Sequence, residues 1–149
     1  MFKVSIEQID KTKEEEILIK CHEINNEVLS IVDKLKGSDS KISTITGIKN
    51  DDIYSIKLKD VYYIEATENK TFIYLADDFY ESKLKLYELE EKLKGLSFFR
   101  CSKSIILHYS KIECVTPAFN GRFEAKLKNG EKVIISRQYV PVLKDILGI

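Results

Sequence analysis

Between residues 41 and 135 the chain is divided into runs too short to be ordinary helices. Ile53–Leu58, Val61–Glu65, Thr71–Leu75, Phe79–Lys83, Ile105–Leu107, Ile112–Val115, Arg122–Leu127 and Lys132–Ile135 are mostly β-branched and aromatic, the side chains that suit a pleated, half-buried surface. An earlier run, Ile42 to Thr46, ends at Gly47. Turn signals separate the runs: Asn50-Asp51-Asp52, Lys59-Asp60, Glu68-Asn69-Lys70, Asp77-Asp78 and Asn129-Gly130. The last is the strongest short-range hairpin signal. Two stretches read as helices instead. Leu84, Leu86, Leu89 and Leu93 mark one, with Gly95 placed to cap its C-terminus. Ser136 is placed to cap a closing helix through Leu147. The pattern predicts a mainly β fold with helical additions.

Residues 1–40 read differently. Phe2, Val4 and Ile6 alternate with polar residues, as a half-buried strand does. Glu14, Glu15 and Glu16 then stand where acids favour a helix N-terminus. Ile17, Cys21, Ile24, Val28, Ile31 and Leu35 follow at steps of four and three. The spacing predicts a helix over residues 13–36 with one apolar stripe, ended by Gly37. Lys36-Gly37-Ser38-Asp39-Ser40 predicts a linker. The organisation expected is an N-terminal strand plus helix over 1–40 and a β-rich domain over 41–149. The stripe either caps the domain or pairs with its counterpart in a second chain, which would make a homodimer through the helix 13–36.

Composition excludes several classes. At 149 residues the chain suits one domain, or a domain with a small appendage. Hydrophobic residues are 44% and charged residues 32%, enough for a core and too apolar for a disordered chain. No apolar run approaches the ~18 residues of a membrane span, and the N-terminus lacks a secretory signal, so a cytoplasmic location is expected. Cys21, Cys101 and Cys114 are odd in number and widely spaced, which predicts reduced, mostly buried thiols. With only His22 and His108 beside them, no spacing favours a metal site. Gly-rich phosphate loops, H-E-x-x-H and G-x-S-x-G are absent. Asp77 and Asp78 read as a solvated turn rather than an acid–base pair. The expectation is a protein that is not an enzyme, with no catalytic residues, cofactor, metal or evident small-molecule ligand.

The zero net charge conceals an asymmetry. Residues 1–99 carry 15 basic and 20 acidic residues, whereas residues 100–137 carry eight basic and three acidic. The basic stretch includes Arg100, Lys103, Lys111 and Arg122, and it suits an anionic partner. Its turns also carry polar donors. Ser102-Lys103-Ser104 offers two hydroxyls and an ammonium for phosphate oxygens. His108-Tyr109-Ser110-Lys111 adds more, and Ser136-Arg137 joins a hydroxyl and a guanidinium at a helix start. Arg can also read guanine bidentately.

Four blocks in order carry a resemblance that covers about two-thirds of the chain. They are DVYYIEATENKTFIYL (Asp60–Leu75), LKLYELEEKL (Leu84–Leu93), FFRCSKSIILHYSKIECV (Phe98–Val115) and LKNGEKVIISRQYVPVLKDIL (Leu127–Leu147). Together they resemble the LytTR DNA-binding domain family of bacterial regulators. The resemblance implies small packed β-sheets that dock on double-stranded DNA by loops rather than by a recognition helix. Carried over by position, the three contacting loops fall at Asn69-Lys70, at His108 and at Arg137. Ser102 stands where the family often has His, and His108 where it often has Asn. The resemblance does not reach residues 1–47, and the family's usual receiver domain is absent, so a stand-alone regulator is expected. Base reading would fall to Asn69, Lys70, His108 and Arg137, and docking to Arg100, Ser102, Lys103, Ser104, Lys111, Arg122 and Ser136. The alternative is a module of the same fold that no longer binds DNA and titrates a protein partner.

Overall fold

The computed structural model describes residues 2–40 and 42–149, which fall into two compact units divided after residue 40. In the first unit the only helix among the described residues is α1 (Asn26–Ser40). Its start is set by Asn25, whose side-chain oxygen accepts the Val28 N–H at 3.0 Å while its carbonyl accepts Leu29 N–H at 3.0 Å. This is an N-cap, and it corrects the helix expected from residue 13. Continuing the helix upstream would place Asn25 and Asn26 in its interior, where Asn competes with the backbone for hydrogen bonds. Residues 2–25 form neither strand nor helix. The alternation at Phe2, Val4 and Ile6 meets no strand to pair with, and a lone strand leaves its backbone groups unpaired. Of the expected stripe only Val28 is buried; Ile17, Cys21, Ile24 and Leu35 are exposed. The helix also continues through Gly37, and the side chains of residues 36–41, including those of the expected linker, lie outside the described residues.

The second unit is mainly β. Among the described residues ten strands form two antiparallel sheets. The larger contains β1 (Thr44–Lys49), β2 (Asp52–Lys57), β3 (Tyr63–Thr67), β4 (Lys70–Tyr74), β5 (Phe79–Ser82), β6 (Phe98–Arg100) and β7 (Ile105–His108), in the order β2-β1-β5-β4-β3-β7-β6. The smaller contains β8 (Ile112–Pro117), β9 (Phe123–Leu127) and β10 (Lys132–Ile135), with β9 in the middle. Helix α2 (Leu86–Lys92) follows β5, and α3 (Val140–Leu147) closes the chain. Strand β6 was not legible in the sequence, because three residues are too few to show a period.

Two hairpins follow directly from turn chemistry. Asn50 and Asp51 join β1 to β2, and Glu68 and Asn69 join β3 to β4, each pair with both φ values positive, between 49° and 67°. Such two-residue loops match the right-handed twist of the strands they connect.

The larger sheet is covered on both faces. On one, Ile45, Ile56, Ile64, Ile73 and Ile106 pack with Leu86, Leu89 and Leu93 of the α2 region. On the other, Phe99, Cys101 and Leu107 pack with Ala125, Leu127, Val133 and Ile135 of the small sheet and with Val140 and Leu143 of α3. Burial holds the Cys101 thiol up at about 12, so it stays protonated. Cys114, by contrast, is exposed on the edge strand β8, beside a bulge between Ile112 and Cys114. The expectation of three shielded thiols therefore holds for Cys101 and fails for Cys21 and Cys114, which sit on a chain segment without an element and on a sheet edge. Ser136 is corrected as well. It precedes a 3-10 turn (Arg137–Tyr139) and makes no side-chain cap, and the helix proper begins at Val140.

At Gly47, β1 lies close against its neighbours. A Cβ there would strike the Ile56 side chain and lie 2.7 Å from Tyr80 Cβ. Gly47→Ala is therefore expected to destabilise the domain by about 1–3 kcal/mol through overpacking. Urea unfolding of the variant would show a lower midpoint at unchanged slope.

Candidate nucleic-acid interface

One end of the large sheet gathers most of the polar loop residues. The β3–β4 hairpin ends in Asn69 and Lys70, both exposed. Beside it lies the turn Ser102-Lys103-Ser104, which leads from β6 into β7. The Ser104 carbonyl accepts the Ala66 N–H at 2.8 Å, which ties this turn to β3. Inside the turn, Ser102 Oγ accepts the Ser104 N–H at 3.2 Å, leaving Lys103 exposed at its tip. Arg100 does not point outward with them. Its Nε donates to the Ser102 carbonyl at 2.8 Å, one terminal nitrogen donates to the Lys103 carbonyl, and the other donates to Glu90 Oε1 at 3.1 Å.

From this turn an open groove of about 570 Å3 runs along the junction of the two sheets. Tyr63, Glu65, Ser102 and Ile105 line it from the large sheet and the turn before β7, and Arg122, Lys132, Ser136, Arg137 and Gln138 are among the residues that line the rest. Four of the residues singled out in the sequence, Ser102, Arg122, Ser136 and Arg137, thus share one concavity. Their approach depends on Gly121. With φ at +74°, a Cβ on Gly121 would lie 3.2 Å from Arg137 Cδ, so the stem of Arg137 lies directly on this glycine. The Asn120-Gly121 pair is itself a turn signal, and Lys132 belongs to the basic stretch, but neither carries a motif that marks it as part of a site. Lys132 pairs with Glu124 at 3.5 Å. Among the described residues no ion pair or side-chain hydrogen bond engages Arg122 or Arg137, and both are exposed. Two guanidinium groups with free planar donors on one groove are suited to phosphate and base-edge acceptors.

The remaining predicted residues lie at the other end of β7, roughly 10 Å along the strand. Ser110 is exposed and Lys111 half-buried, its ammonium 5.2 Å from the centre of the Tyr62 ring. His108, expected to reach outward, is only 6% exposed. Its ring stacks on Phe98 with centroids 4.3 Å apart. Nδ1 lies 2.6 Å from the Val61 carbonyl and Nε2 2.8 Å from Ser110 Oγ. A neutral ring protonated at Nδ1 satisfies both contacts, donating to Val61 and accepting from Ser110. Burial holds its pKa below the usual 6.5, and the charges of Lys111 and Lys128 act the same way against the Val61 hydrogen bond.

Comparison with known proteins shows the family to which the chain belongs. Residues 51–148 match the family described as the LytTr DNA-binding domain. The chain is 33% identical over 114 residues to the sensory transduction protein LytT of Enterococcus faecalis, covering 76% of this chain and 46% of that one. It is 31% identical over 105 residues to the transcriptional regulatory protein YpdB of Escherichia coli K12, covering 70% and 43%. It therefore spans less than half the length of these two relatives. A Staphylococcus aureus protein of similar length, "Uncharacterized HTH-type transcriptional regulator SAS2254", is 31% identical over 139 residues, covering 92% and 93%. Among solved structures, a LytTr DNA-binding domain from Bacillus cereus matches with a TM-score of 0.68 and 29% identity, covering 72% of this chain and 99% of that one.

The buried imidazole has a consequence for pH. Because its folded-state pKa is lowered, neutral His108 contributes stability that is present above about pH 6.5 and is lost as pH falls through the folded-state value. In His108→Asn the amide can take the place of Nδ1–H and does not titrate. Denaturant midpoints measured from about pH 7.5 to 5 should fall more steeply for the wild type than for this variant. Equal slopes would show that the ring titrates as it does in the unfolded chain.

Proposed function

The chain belongs to the LytTr DNA-binding domain family, and we propose that it is a cytoplasmic transcriptional regulator that binds double-stranded DNA sequence-specifically through its loops. The observation that carries this reading is the pair of exposed guanidinium groups, Arg122 and Arg137, which share one groove and have no ion pair or side-chain hydrogen bond among the described residues. Arg137 is assigned base reading, since a guanidinium matches guanine O6 and N7 bidentately. Asn69 and Lys70 are assigned the neighbouring contact, from the hairpin at the same end of the sheet. Ser102, Lys103, Ser104, Arg122 and Ser136 contact backbone between them, and Lys111 does so at the far end of β7. His108 leaves the base-reading set, because its ring is buried and both nitrogens are engaged. Binding rather than catalysis is the role we assign.

A second feature supports self-association. Ile17, Leu18, Ile24 and Leu29 are 74%, 68%, 76% and 49% exposed, an unusual load of solvated apolar surface for one short segment. We assign this segment to a homodimer contact, with its helical part beginning at Asn26. Light scattering should then find dimers that Ile24→Asp with Leu29→Asp converts to monomers. A wild type that stays monomeric at high micromolar concentration rules the contact out.

The DNA reading is tested by footprinting the purified protein on its own gene's upstream DNA, then measuring two variants. Arg137→Ala should weaken specific binding roughly ten- to a hundred-fold, the worth of a bidentate guanine contact, and non-specific binding far less. Lys111→Ala should weaken all sequences about equally and lower the slope of log K against log salt by about one. If neither variant changes DNA affinity, the chain is a partner-titrating module of the same fold.

A further inference from the structure

Arg100 looks, by charge and position, like one more phosphate contact. We propose instead that it is a positioning residue: anchored to Glu90 of α2, it holds the Ser102-Lys103-Ser104 turn in the shape that meets DNA. The proposal rests on the DNA-binding reading above. Its basis is the geometry of one planar fork. Nε and a terminal nitrogen donate to two successive carbonyls, those of Ser102 and Lys103, and the remaining terminal nitrogen donates to Glu90 Oε1. Three of the five guanidinium donors are thus directed inward, and the side chain is only 20% exposed.

The position of the fork explains what it does. Arg100 is the last residue of β6, paired with Ile106 of β7, and the turn it holds is the short connection between these strands. The backbone of that turn is otherwise tied by the Ala66 N–H on the Ser104 carbonyl, by the Cys101 and Ser102 N–H groups on the Ile105 carbonyl, and by the Ser104 N–H on Ser102 Oγ. None of these ties engages the carbonyls of Ser102 and Lys103. Without the guanidinium these carbonyls turn to water, and the turn that presents Lys103 loses its fixed shape. Lysine cannot substitute, because a single ammonium on a flexible stem does not present a rigid planar fork to two carbonyls and a carboxylate. Glu90 also balances the charge of Arg100, so the pair adds little net charge for a phosphate to neutralise.

Two kinds of site are separated by salt dependence. A phosphate contact contributes about 0.9 to the slope of log K against log salt; a residue that only shapes a turn contributes none. Anisotropy titrations would use the full chain with its own upstream duplex and a shuffled duplex of equal length. Arg100→Lys and Arg100→Gln should each weaken the upstream duplex roughly tenfold, the scale of a hydrogen bond to a charged group, with the slope unchanged. Lys103→Gln should lower the slope by about one. Amide NMR shifts of Ser102, Lys103 and Ser104 should move in Arg100→Lys while those of β9 and β10 stay in place. Glu90→Gln, at an exposed carboxylate, is the variant to use if Arg100 substitutions unfold the domain. It should shift the same three amides and weaken binding at unchanged slope. A slope lowered by about one in Arg100→Gln, or tighter binding with a steeper slope in Glu90→Gln, would make Arg100 a direct phosphate contact and overturn the proposal. Wild-type protein that binds neither duplex overturns the DNA-binding reading itself, and the amide shifts then decide alone whether Arg100 holds the turn.

Discussion

The structure depends on a strand that is buried on both faces. β7 sends Ile106 into the core beneath α2 and Leu107 into the core beneath the small sheet and α3. Two hydrophobic layers that would otherwise be separate are thereby joined through one backbone. Its length is four residues, and it pairs with β3 on one side and β6 on the other. Whatever is attached to its ends is therefore rigidly placed relative to both layers. The Ser102–Ser104 turn enters at one end, and the Ser110–Lys111 segment leaves at the other.

Those ends are finished by polar side chains that turn inward. At the start of β7, Arg100 gathers two carbonyls and a carboxylate; at its end, His108 gathers a carbonyl and a hydroxyl while stacking on Phe98. Both residues satisfy backbone groups that irregular chain would otherwise leave unpaired. Lys103, Arg122 and Arg137 by contrast face outward and are exposed. The total charge of zero does not show this division between inward and outward cations.

Arg137 illustrates how a groove is assembled from distant parts. Its neighbour Ser136 donates its N–H to the Cys101 carbonyl at 2.8 Å, which fixes the chain entering the last helix against the end of β6. Its stem rests on Gly121, where the positive φ and the absence of a side chain both serve the approach. Arg122 follows immediately on that glycine. Both arginines line one groove because a turn in the small sheet leans on the segment before α3.

The sequence by itself determined the strands of the second unit other than β6, most of their turns, and the family. Alternation and β-branching are local properties, and the pairs Asn50-Asp51 and Glu68-Asn69 bring the positive φ values of their hairpins with them. It determined equally that the last third is basic. Tertiary structure alone decided which basic and polar residues face outward. His108 and Arg100 are drawn from the same residue types as the exposed donors, and only packing against Phe98, Val61 and Glu90 shows them as internal. The N-terminal segment makes the same point in reverse: Phe2, Val4 and Ile6 carry the period of a strand, yet a strand exists only where another strand supplies its hydrogen bonds. Periodicity is written residue by residue, whereas burial belongs to the pairs of elements that meet, and no residue encodes its own partner.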